Sequence, residues 1–156
     1  MGGSIALQTS KKTDIANSQE SIDRTLPLHR FQVDAIRRKF IGLVFRNNPS
    51  DIYNCHGLTF ACRRTGIYEI PEVYKIIRDD RYEEIADKAN LLPGDIILYY
   101  GEDGDIEHSG IIMRLENMGS PVPIILSKWG MFDEVIHSAF DSPYNKNGIK
   151  YYRCKL

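Results

Sequence analysis

The sequence predicts an α+β fold in which helices come first and pack on an antiparallel sheet that comes second. Up to about position 65 the apolar residues recur every three to four positions, as amphipathic helices require; after position 93 they gather in short dense runs bounded by Gly, Pro and Asp, as strands do. With 42% hydrophobic residues in 156, the chain has enough apolar material for one core. That order of elements is the α+β one.

Residues 1–25 are mostly Ser, Thr, Gln, Lys, Asp and Asn with isolated Ile and Leu, a composition that predicts a flexible tail ahead of a single domain over 26–156. From 28 to 45, Leu28, Phe31, Ile36, Phe40, Leu43 and Val44 mark one face of a helix, and Arg30, Arg37, Arg38 and Lys39 its wet face. A loop over 46–51 leads to a second helix over 55–64 that Gly66 stops. Residues 71–89 read as one or two short surface helices. Past Pro93-Gly94, the runs Ile96-Ile97-Leu98-Tyr99-Tyr100 and Ile111-Ile112-Met113 are two strands joined by a Gly/Asp turn, Ile124-Ile125-Leu126 is a third, and 149–152 a fourth.

Charge excludes some functions. Twenty Lys and Arg against 21 Asp and Glu give a net charge of -1, so no overall field favours nucleic acid or an anionic membrane as a partner. Cysteines at 55, 62 and 154 form neither a disulfide framework nor a zinc pattern, which predicts a reducing, cytoplasmic setting. Cys55, His56 and His108 are metal-capable types, but adjacent Cys55 and His56 point apart on a helix and no fourth ligand is suitably spaced. No metal or other cofactor is expected. Cys62 reads as a core residue, and Cys154 and His29 as residues without partners.

The chemistry gathers at Cys55. A cysteine in the first turn of a helix has its thiolate stabilised by unpaired backbone N–H groups and the helix dipole. Asn54 before it is a fitting cap, and Leu58, Ala61 and Cys62 repeat at spacings that bury one helix face. A thiolate also needs a proton acceptor, and His108 begins a strand that can pack on that helix; Gly110 beside it permits a close approach.

Three segments in order resemble the NlpC-type papain-like cysteine peptidases: Asn54-Cys55-His56-Gly57-Leu58-Thr59, Leu92-Pro93-Gly94-Asp95-Ile96-Ile97 and His108-Ser109-Gly110-Ile111-Ile112. The resemblance covers about residues 50–130 and implies a papain-like core with Cys55 as nucleophile and His108 as base. It further implies an acyl-enzyme route on a protein or peptide amide, with no cofactor. Two substrate-binding positions differ: the family's Asp before the Cys and Ser after it hold a peptidoglycan amine, and here they are Asn54 and His56. A neutral Asn cannot pair with an ammonium, so peptidoglycan is not the favoured substrate. An orienter for the imidazole is expected on the following strand, where Ser127 is the candidate, with His137 and Glu134 as alternatives from an irregular, exposed segment. Tyr53 is a candidate oxyanion donor, and Trp129 either lines the cleft or plugs the core. Two other readings stand beside the hydrolase: a catalytically silent binding module of the same fold, and an effector or toxin that deamidates or cleaves a protein in a target cell.

Overall fold

The structure, a computed structural model, describes residues 2–20, 27–46, 50–130 and 133–156. Parts of the expected tail (21–25) and loop (47–49) lie outside the described residues, as does the side chain of His29. Among the described residues, seven strands form one antiparallel sheet in the order β1-β6-β5-β4-β3-β7-β2. The strands are β1 (Val44–Arg46), β2 (Tyr82–Glu84), β3 (Ile96–Tyr100), β4 (Ile106–Asn117), β5 (Pro121–Lys128), β6 (Glu134–Ser138) and β7 (Ile149–Cys154), and the helices α1 (Pro27–Lys39), α2 (Cys55–Phe60) and α3 (Ile70–Asp79).

The uninterrupted apolar run of β3 follows from its place inside the sheet. Side chains alternate across a strand, and here both faces are covered. Ile96 and Leu98 join Ala61, Ile67, Val73 and Ile76 on the face that carries α2 and α3. Ile97 and Tyr99 join Leu91, Ile112, Ile125 and Tyr151 on the other face.

Several boundaries differ from the sequence expectation, each for a local reason. The first helix stops at Lys39, because Gly42 takes a left-handed φ of 92° and turns the chain into β1; Val44 and Phe45 therefore pair with Ile136 and Val135 instead of continuing a helix. The second helix ends at Phe60, not Arg64, since Cys62 and Arg63 adopt φ of 49° and 65°. Cys62 is consequently exposed and not a core residue. Residues 82–84 form an edge strand on β7 where a helix was expected. The segment around Glu134 and His137 is strand β6, paired with β5 through Leu126↔Ile136 and Ser127↔Val135, and both residues are buried.

Residues 2–20 are not a loose tail. Ile15 is 4% exposed and belongs to the core beneath α3. The hydroxyls of Thr9 and Thr13 both donate to Asp79 Oδ2, at 3.0 and 2.6 Å, and the Ala16 N–H donates to Glu72 Oε2 at 3.0 Å. Ser18 and Gly66 form an isolated antiparallel bridge. The segment's polar composition is thus matched by carboxylates on α3, which offsets ordering entropy that apolar burial alone would not.

Candidate active site

Cys55 opens α2, and the cap that starts the helix is Asn54. Its Oδ1 accepts from the N–H of Gly57 (2.9 Å) and of Ile67 (3.1 Å), while its Nδ2 donates to the Ile67 carbonyl (2.7 Å). All of its polar atoms are used within the fold, so Asn54 is a cap and not a substrate ligand. Gly57 makes the close approach of 65–67 possible: a Cβ there would lie 2.0 Å from the Thr65 carbonyl oxygen.

The helix is joined to β4 through Ser109. His56 Nδ1 lies 2.8 Å and Thr59 Oγ1 3.0 Å from Ser109 Oγ. His56 is 3% exposed, and burial pulls its pKa down to about 4. It fastens helix to strand in neutral form, in place of the expected substrate contact. Gly110 then lets β5 close on β4, since a Cβ there would sit 2.6 Å from Ile125 Cγ2.

This anchoring brings Cys55 and His108 together. Burial raises the Cys55 thiol pKa, but the charge and hydrogen bonding of His108, with backbone N–H groups of Ser109 and His56, lower it further, and the net shift is downward. For His108, burial lowers the pKa, the Cys55 sulfur raises it, and His137 and His56 lower it; the net direction is down. Burial thus favours the uncharged ring and the Cys55 sulfur the charged one, and the uncharged ring is the form able to accept the thiol proton. His108 is 1% exposed, its Nε2 has no hydrogen-bond partner among the described residues, and its ring lies flat on that of Tyr144.

Ser127 does not orient this ring. Its Oγ is 2.8 Å from His137 Nε2 and accepts from Trp129 Nε1 at 3.1 Å, while His137 Nδ1 is 2.7 Å from the Ser138 carbonyl oxygen. The carbonyl only accepts, so Nδ1 carries the proton and Nε2 accepts from the Ser127 hydroxyl. Every member of this relay is satisfied. His137, 2% exposed and with its pKa pulled down to about 4 by burial, therefore has no nitrogen left for His108. Glu134 is engaged elsewhere as well, by the Tyr53 hydroxyl (2.6 Å) and the Arg63 guanidinium. Tyr53 thus donates to a carboxylate and not to an oxyanion. Trp129, 2% exposed, packs edge-on to Phe40 and His137, which makes it core and not cleft lining.

Replacing Ser127 with alanine should accordingly act on stability. Two buried polar groups, Trp129 Nε1 and His137 Nε2, would lose their partner, at a cost of about 1–3 kcal/mol each in urea unfolding. Alkylation of Cys55 should keep its parental rate. A tenfold slower alkylation in a folded variant would instead return Ser127 to the catalytic set.

Two residues of the site carried no sequence signal. Tyr144 lies in the loop before β7, in no motif. Tyr68, 40% exposed, stands near enough to Cys55 for its charge to act on the phenol: burial, Glu20, Asp51 and Cys55 together push that hydroxyl up to about 12. Among the described residues no three His, Cys, Asp or Glu side chains gather as ligands for a metal ion, and no described helix is long and apolar enough to cross a membrane. Comparison with protein-family models, curated proteins and solved structures found no match for this chain.

Proposed function

We propose that the chain is a papain-like thiol hydrolase of the NlpC type, acting on a peptide or protein amide through Cys55 and His108. The observation that carries this reading is a buried cysteine at the start of α2 whose thiol pKa is lowered, against its burial, by the imidazole of β4 and the backbone of Ser109 and His56. In the reaction, His108 takes the proton from Cys55 and the sulfur attacks the carbonyl carbon. The C–N bond breaks as the imidazolium returns its proton to the leaving amine, which leaves a thioester on Cys55. Water, deprotonated by the same ring, then releases the acid and restores the thiol. Attack on a side-chain amide, with ammonia as leaving group, would make the same machinery a deamidase, the form suited to an effector acting in another cell. The use of Asn54 and His56 within the fold supports a substrate other than one held by its free amine at those positions.

The silent-module reading draws on one observation, that Nε2 of His108 has no hydrogen-bond partner among the described residues. Alkylation separates the two. Cys62 and Cys154 are exposed, whereas Cys55 is 8% exposed, so accessibility alone ranks Cys55 last. An activated thiolate reverses the ranking: with iodoacetamide at pH 7, peptide mapping should find Cys55 modified first. Modification of Cys62 and Cys154 ahead of Cys55 would support the silent module.

A further inference from the structure

We propose that Tyr144 is the positioning residue for His108, holding the imidazole by its ring face where a hydrogen bond to a polar orienter would otherwise do so; this rests on the reading of Cys55 and His108 as a catalytic pair. The two rings are 3.7 Å apart between centroids and 9° from parallel. Three side chains placed by the sequence to orient the ring are committed elsewhere: Ser127 and His137 to each other, and Glu134 to Tyr53 and Arg63. The buried Nε2 is left with no partner among the described residues, so no polar contact at that atom fixes the ring.

An imidazole needs such a hold because rotation about χ2 is soft, and a turned ring presents carbon in place of nitrogen to the sulfur. A parallel aromatic plane at van der Waals distance prevents this, since rotation would drive the imidazole edge into the phenol ring. Tyr99 limits the ring further, with its centroid 5.5 Å from that of His108 and its plane inclined by 49°. The negative π face of Tyr144 also favours the imidazolium formed when Cys55 gives up its proton.

Tyr144 is itself held by the β-hairpin that carries His108. The Asn145 N–H donates to Oε1 of Glu107, the residue before His108, at 3.2 Å. Asn145 Nδ2 donates to the Tyr100 carbonyl at 2.9 Å. At Gly148 the loop lies so close to Tyr100 that a Cβ would come within 2.0 Å of its carbonyl oxygen. Ring and clamp therefore move as one unit, which is the requirement for a precise site on a loop.

The test is the pH dependence of Cys55 alkylation by iodoacetamide in the full chain, comparing the parent with Tyr144→Phe, Tyr144→Leu, Asn145→Ala and His108→Ala. Phenylalanine keeps the ring face and should stay within about twofold of the parent. Leucine should slow alkylation about tenfold or more between pH 6 and 8 and move the profile toward that of His108→Ala. Asn145→Ala, which leaves both rings in place, should give a smaller shift in the same direction and decides the matter if the leucine variant fails to fold. A parental profile in a folded leucine variant, or in Asn145→Ala when leucine does not fold, overturns the proposal. So does a phenylalanine variant as slow as leucine, because the hydroxyl and not the ring would then be acting. If the parent itself reacts no faster than His108→Ala, the catalytic pair fails, and the role of Tyr144 with it.

Discussion

Cys55→Ala should lower hydrolysis of any amide or ester the parent turns over by about three orders of magnitude or more, with the fold kept. The size of the loss follows from the route: without sulfur there is no acyl-enzyme, and what remains is whatever binding alone does. The fold should survive because alanine favours helices, and the cap that starts α2 uses Asn54, Gly57 and Ile67, not the thiol. His108→Ala should cost nearly as much, since nucleophile and base act as a unit. Far-ultraviolet circular dichroism checks the fold and single-turnover assays the chemistry. Parental turnover by Cys55→Ala would remove the nucleophile assignment, whatever the behaviour of His108.

Acidification should destabilise the protein steeply between about pH 6.5 and pH 4. His56 and His137 are buried with folded pKa values lowered from 6.5 to about 4. In this window the unfolded chain binds protons at both rings and the folded one does not, so stability rises with pH. It is fully present above about 6.5 and lost as pH falls toward 4. Each ring contributes on the order of 3 kcal/mol, and the steepest slope approaches about 2.7 kcal/mol per pH unit, two protons' worth. His108, also lowered, acts in the same direction. Glu134, whose carboxyl is raised by burial but lowered further by Arg63 and Tyr53, adds to the loss in the same direction at the acid end of this window, where the unfolded carboxyl begins to bind a proton. Urea unfolding at half-unit steps from pH 4.5 to 7.5 measures the slope. A flat profile would mean that these rings already carry protons in the native state.

What the sequence disclosed and what it hid divide along physical lines. Patterns that act within a few residues were legible: the all-apolar β3, the cap at Asn54 and the glycine at 110 each follow from local sterics or periodicity. Segments whose stability comes from distant polar partners were not. Residues 2–20 look like a tail because their partners, Asp79 and Glu72, lie far along the chain. Strand β6 was hidden for the same reason: it buries Glu134 and His137, and nothing nearby announces Arg63 or Ser127 as the groups that satisfy them. The site shows the same division. Cys55 and His108 each sit at the beginning of an element and carry local signals, whereas Tyr144 reaches His108 only through the tertiary path of the last loop.

The margins of the sheet bear on how a peptide can be gripped. The outermost strands, β1 and β2, have three residues each, and β2 presents Glu83 and Glu84 to solvent. Three residues of ladder extend about 10 Å, too little to hold an extended polypeptide by main-chain pairing along a sheet border. Short, charged borders of this kind also discourage one copy from zipping onto the next. On the proposed reading, a polypeptide presented to Cys55 would therefore not be held by pairing along a sheet border, and its selectivity would reside in side-chain contacts with residues that can change without disturbing the strands.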